Sequence, residues 1–172
     1  LNKFALLVRL ILHHSDRHNI PLEKELEMLR YYVELEAMRF EQPFQFEFKV
    51  APDIDTADTE IPSMLLQPYV ENAIVHGLRP KKDGQGQLVL DIQLKESMLY
   101  CTITDNGIGR ERAAAIRKPH TTGHESRGLK LAEERLAVLQ QETQQTAKVQ
   151  IIDLFDDTGK AQGTRVELMV PV

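Results

Sequence analysis

Two hydrophobic rhythms alternate along this chain. Over the first forty residues the apolar positions recur every three or four. In PLEKELEMLRYYVELEAMRF (21–40) they fall at Leu22, Leu26, Leu29 and Val33, then Phe40, the stripe of an amphipathic helix with heptad-like spacing. Phe4, Val8 and Ile11 keep the same spacing upstream. Between the two stretches SDRHNIP (15–21) is polar and closes on Pro21, which suits the first turn of a helix because its missing N–H has no partner to lose there. The pattern predicts two helices joined by a short turn. The stripe packs on the domain's own core or on a second copy, and two heptads do not separate the two.

From residue 44 the period shortens to two. FQFEFKVA (44–51) places Phe44, Phe46, Phe48 and Val50 on one face of a strand. LVLDIQL (88–94) and LYCTITD (99–105) predict a hairpin around KESM, and AKVQIIDLF (147–155) and TRVELMVPV (164–172) a second around DDTGKAQG. Helical spacing returns at SMLLQPYVENAIVHGL (63–78), with Pro68 restricted to the first turn or a kink and Gly77 near the stop. It returns again at GLKLAEERLAVLQQ (128–141), with Leu129, Leu136 and Leu139 inward. The stretches 51–62, 79–87 and 106–127 read as loops. Strands joined by hairpins, without one-for-one alternation with helices, predict an α+β class. The expected fold is a two-layer α/β sandwich with a mixed, mostly antiparallel sheet and helices on one face, preceded by a helical segment.

Composition narrows the partners. With 42% hydrophobic and 27% charged residues among 172, the chain reads as a globular domain with a helical appendage. A net charge of −5 argues against non-specific nucleic-acid binding, which needs a basic surface to displace counterions. The single cysteine, Cys101, excludes an internal disulfide and a cysteine-based zinc site, and its strand-like setting predicts a core residue. No apolar stretch approaches the roughly 18 residues of a membrane span; FALLVRLIL (4–12) is short and carries Arg9. The chain starts at Leu1, inside an apolar pattern, as expected of a piece of a longer protein.

Three stretches carry candidate chemistry. TDNGIG (104–109) contains Asn-Gly, a strong hairpin signal. No strand follows it, since RERAAAIRK (110–118) reads as a short helix or mobile loop. The glycines there serve a turn or allow close approach of a ligand. In the helix 63–78, Leu65, Tyr69, Asn72 and His76 share one face, with Glu71 at its edge. An amide and an imidazole beside a Leu and a Tyr predict a partly apolar cleft with a few polar groups. Acid, amide and imidazole so close could bind metal or handle a proton; for His76 alone, a buried and satisfied histidine is the better reading. In TTGHESRGL (121–129), Gly123 and Gly128 precede a helix, and helix N-termini attract phosphate. A carboxylate can accept from an exocyclic amino group, and an amide oxygen can ligate magnesium. Together these predict a magnesium–nucleotide site.

The order ENAIVHG, DNGIG, RGLKLAEERL resembles the Bergerat (GHKL) ATP-binding domain shared by gyrase, MutL, a heat-shock chaperone family and histidine kinases. Within it the chain is most similar to sensor histidine kinases of the Lyt, or autolysin-regulator, type. LLQPYVENAIVHG (65–77) looks like the N box, DNGIG like the first glycine box, and residues 21–40 like the helix preceding the domain. The resemblance implies a helical segment at 1–40, the end of a dimerisation and phosphoacceptor region, and a catalytic domain at 41–172. It implies ATP and Mg²⁺ as cofactors, Asn72 as the magnesium ligand, Glu71 as general base or orienting acid, and Asp105 as the reader of adenine. Gly107 and Gly109 would flank the nucleotide, with His76 beside it. Ser126, Arg127, Gly128 and Leu129 would lie near the phosphates, and 110–127 would form a lid. Arg79, Lys81, Lys82 and Lys130 are further phosphate candidates, although most such charges are solvated surface.

There are departures from the family pattern. His124 and Ser126 stand where a fuller second box has glycine, and Leu131 where an asparagine is common. No Asn-Pro-His-Phe-like acceptor motif occurs, and His13, His14 and His18 are expected on the surface. The implied partners are a response regulator and a second kinase copy, with membrane attachment only through a part upstream. The resemblance implies the cytoplasmic domain of an inner-membrane-anchored bacterial protein histidine kinase, with this portion expected not to phosphorylate itself because the acceptor histidine is missing. An ATP-gated dimerisation ATPase and a degenerate interaction domain are the competing readings.

Overall fold

The computed structural model describes residues 2–14, 16–116 and 127–172. Two helices open the chain, α1 (Asn2–His14) and α2 (Leu22–Ala37), separated by a short strand β1 (Asn19–Pro21). Then come β2 (Gln45–Val50), β3 (Glu60–Pro62) and helix α3, which runs as α-helix over Gln67–Asn72 and as π-helix over Ala73–Leu78. The chain continues through β4 (Gln87–Lys95), β5 (Met98–Asp105), α4 (Arg110–Ile116), α5 (Arg127–Thr143), β6 (Lys148–Phe155) and β7 (Ala161–Pro171).

The main sheet has the order β2-β4-β5-β7-β6. Only β2 and β4 are parallel; the other pairs are antiparallel. Alternation sorts the faces. Leu88, Leu90 and Ile92, Leu99, Cys101 and Ile103, and Val166, Leu168 and Val170 are buried, while the residues between them along β5 are only half-buried. The buried face packs against α2, α3 and α5, which supply Leu29 and Val33, Tyr69 and Ile74, and Ala132 and Leu136 to the same core. This is the expected two-layer α+β sandwich.

The stripe of α2 serves this core. Leu22, Leu29 and Val33 are fully buried in it, so the domain's own sheet accounts for the heptad-like spacing. Phe40 lies beyond the helix end and packs edge-on to Phe44. Three expectations are corrected. The turn at 15–21 contains β1, and the loop at 51–62 ends in β3; the two pair antiparallel, Ile20 opposite Ile61, and both isoleucines are buried. For 110–118, read as a short helix or a loop, the helix is found: α4 spans Arg110–Ile116. His14 is 6% exposed, because Ser63 donates to its carbonyl and α1 packs on α2 there; His13 and His18 are exposed as expected.

Candidate functional site

Helix α3 begins without a capping side chain of its own at Leu66. The cap comes from α2: the Glu25 carboxylate accepts from the N–H groups of Met64 and Leu66, both at 2.9 Å. Glu25 is 1% exposed, and burial pushes its carboxyl up to about 7 against these bonds. Arg135 of α5 donates to the Ser63 carbonyl beside it. At the far end of α3, Arg79 pairs with the buried Glu36 of α2 at 2.5 Å. Arg79 is thereby held to α2, and Lys81 pairs with Asp83, 3.7 Å away.

Halfway along, α3 widens. Arg79 N–H reaches back five residues to the Ile74 carbonyl at 2.9 Å, the bond pattern of a π-turn, a feature frequent at functional sites. The Gly77 carbonyl accepts from Ile108 N–H at 3.1 Å. The helix end is thereby tied to the DNGIG segment.

That segment is no hairpin. Asp105 ends β5 opposite both Leu88 and Thr164. Asn106 is a clamp: its Oδ1 accepts from Gln87 N–H at 2.7 Å and its Nδ2 donates to the Gln85 carbonyl at 2.9 Å. The Asp105 carboxylate is 4% exposed and accepts from Gly107 N–H at 2.8 Å. Burial raises its pKa to about 6, opposed by the backbone donors of Gly107 and Thr164. Three glycines make room around this residue. A Cβ on Gly77 would stand 2.7 Å from Asp105 Oδ1, one on Gly107 would stand 2.3 Å from the Gly77 carbonyl carbon, and one on Gly163 (φ +122°) would stand 2.0 Å from the Asp105 carbonyl oxygen.

A cavity of about 290 Å³ opens over this carboxylate, near the lower end of the range for small-ligand sites. Helix α3 contributes Tyr69, Asn72, Ala73, His76 and Gly77 to its wall. Ile103, Ile151 and Val166 give it an apolar sheet side, with Thr164 beside Asp105. Gly109, Arg110, Ala113 and Ala114 close one edge, and Leu129 of α5 another. Arg110 is fixed by a two-pronged pair to Asp153, both bonds 2.7 Å. An apolar slot with one buried carboxylate at its floor fits a flat heteroaromatic ring bearing an amino group. Among the described residues no group of three or more His, Cys, Asp or Glu could hold a metal ion.

Of the expected site residues, Asn72, His76, Asp105, Gly109 and Leu129 line this cavity. Gly107 lies behind it, packed on Gly77. Glu71 does not line it. It is exposed, and burial of part of its carboxyl together with the charge of Glu36 on α2 raises its pKa. Arg127 is exposed at the start of α5, with Gly128 half-buried next to it. Ser126 and His124, and residues 117–126 of the expected lid, lie outside the described residues. Gly77, Gly163, Thr164 and Arg110 were not among the expected site residues. Gly163 reads in sequence as the end of a turn, and only the β5–β7 register brings it to Asp105.

Comparison with known proteins agrees with this fold. The histidine kinase family model matches residues 1–44. The sensor protein LytS of Oceanobacillus iheyensis is 39% identical over 92 residues, 54% of this chain and 15% of that protein. The sensor histidine kinase YpdA of Escherichia coli is 32% identical over 95 residues, 55% of this chain and 16% of its own length. The chain is similar to the Lyt-type sensor histidine kinases. Its fold is that of histidine kinase domains. The blue-light-activated kinase domain from Erythrobacter litoralis superposes with a TM-score of 0.61 at 14% identity, covering 99% of this chain and 73% of that one. The mycobacterial sensor kinase MprB gives 0.57 at 12% identity, covering 89% and 95%. The matched stretch of LytS and YpdA is about one-sixth of their length.

Proposed function

We propose that this chain is the ATP-binding catalytic part of a two-component sensor histidine kinase, in which residues 1–40 belong to the helical segment and 41–172 hold the nucleotide. The division is one of role, since α2 shares the core of the sheet. Asp105 supports this reading most: it is a carboxylate buried at the floor of an apolar slot, oriented by Gly107 N–H. Such a group accepts a hydrogen bond from the exocyclic amine of adenine, while Ile103, Ile151 and Val166 cover the ring. Asn72 stands one helical turn away from His76 on the same wall, placed to give its amide oxygen to Mg²⁺. A hard cation of that kind keeps several waters and completes its shell with phosphate oxygens. Bound there, Mg²⁺ would neutralise charge on the phosphates during in-line transfer.

The γ-phosphoryl would pass to a histidine on a segment outside these 172 residues and then to an aspartate of a response regulator, with the working kinase a dimer anchored to the inner membrane. Glu71 sits outside the cleft, which supports a role in orienting that incoming segment over direct contact with nucleotide. Calorimetric titration with ATP, with and without Mg²⁺, tests the reading. Wild-type protein should bind without labelling itself. Asp105→Asn should weaken binding about 30-fold or more, a loss of about 2 kcal/mol for a charge-assisted hydrogen bond. Asn72→Ala should remove the magnesium dependence. Tight binding indifferent to Asp105→Asn would sink the assignment.

A further inference from the structure

We propose that the Tyr69 hydroxyl donates a hydrogen bond to the phosphate chain of the bound nucleotide, at the end of the cleft where α3 faces the first turns of α5. This rests on the ATP reading above and adds a binding residue to it. Tyr69 lines the cleft and is 2% exposed, and its hydroxyl is buried with no hydrogen-bond partner. Among the described residues, only His14 shares that condition, and His14 does not line this cavity. A buried hydroxyl without a partner has lost its water and gained nothing in return. The ring alone would wall the cleft equally well, so the oxygen has no task in the unliganded fold.

Its place along α3 selects the ligand group. The base end is marked by Gly77, whose missing Cβ admits the Asp105 carboxylate. Tyr69 precedes Gly77 by eight residues, on the order of 10 Å along the helix axis. Asn72 and His76 follow it on the same wall of the cavity. Along the helix, Tyr69 therefore stands beyond Asn72 from the end marked by Gly77. The neighbouring charge on that side is Glu133 of α5, and Leu129 of the same helix reaches the cavity. A phenol there, kept protonated because burial pushes it up to about 12, is a neutral donor that meets phosphate without requiring a counter-charge.

The test compares wild type with Tyr69→Phe in the whole 172-residue chain. Each is titrated with ATP–Mg²⁺ and with adenosine, and melted without ligand. The expected result is a five- to twenty-fold loss for ATP, unchanged adenosine affinity, and an unliganded melting temperature equal to or above that of wild type. Equal ATP affinity, or an equal loss for ATP and adenosine, overturns the proposal. So does a lower unliganded melting temperature, which would reveal a protein partner for the hydroxyl. If wild type binds ATP and only the tyrosine comparison fails, the ATP reading stands; if wild type binds no nucleotide, both fall.

Discussion

At the residue scale, Asp105 combines two demands that oppose each other. In the proposed role its carboxylate accepts from ligand, yet its burial disfavours the charge that makes it an acceptor. The folded pKa of about 6 lies above the ordinary 3.8, so the folded chain holds this proton more tightly than the unfolded one. Ionisation therefore weakens the fold: this contribution to stability falls as pH rises from about 4 to about 6 and stays low above. Relative to wild type, the melting temperature of unliganded Asp105→Asn should rise between pH 4 and pH 7.5, because the variant lacks the group whose ionisation weakens the fold. ATP affinity of the wild type should run the other way, falling below about pH 6 as the acceptor is protonated. The sequence showed Asp105 and Gly107 through their motif. It did not show Gly77 and Gly163 as their neighbours, because the contact of each with Asp105 depends on a helix end or a strand register set elsewhere.

At the element scale, α3 is held at both ends by acids of α2, Glu25 at its start and Glu36 through Arg79 at its close. The helix that carries Asn72 and His76 is thus positioned by residues about forty places upstream. Glu25→Gln keeps one carbonyl acceptor but turns an amide toward an N–H, leaving a buried donor unpaired. It should cost about 1–3 kcal/mol, seen as a lower denaturant midpoint, and weaken ATP binding without touching the nucleotide. Undiminished stability would show that Glu25 is dispensable as a cap. Nothing in the pattern of 21–40 announces this role. Glu25 is flanked by the apolar-stripe residues Leu22 and Leu26, and Leu26 is in fact less buried than the glutamate.

At the scale of the whole molecule, α1 and α2 differ in what they hold. Helix α1 closes a small cluster with Leu7, Ile20 and Met28, whereas α2 sends Leu22, Leu29 and Val33 into the main core. Burial of those three side chains stabilises the fold by roughly 5–9 kcal/mol, as much as the whole margin of many domains. A chain starting at residue 16 should fold and bind ATP; one starting at residue 41 should not fold. Circular dichroism melts and nucleotide titration of the two truncations check this, and a folded 41–172 would show that the core closes without α2.

The sequence by itself determined the two periods, and hence the strands, the helices and the α+β class, because alternation and helical spacing are local and each element must bury one face. It also singled out Asn72, His76, Asp105 and Gly109, which the structure brings to the wall of one cavity, since their motifs are contiguous. Only the tertiary structure decided that β1 pairs with β3, that Glu71 stands outside the cleft while Tyr69 stands within it, and that Gly77 packs on the Asp105 carboxylate and Gly163 on its main-chain carbonyl. Those outcomes depend on contacts between segments tens of residues apart, where packing of the shared core, rather than any local pattern, fixes which side chains meet.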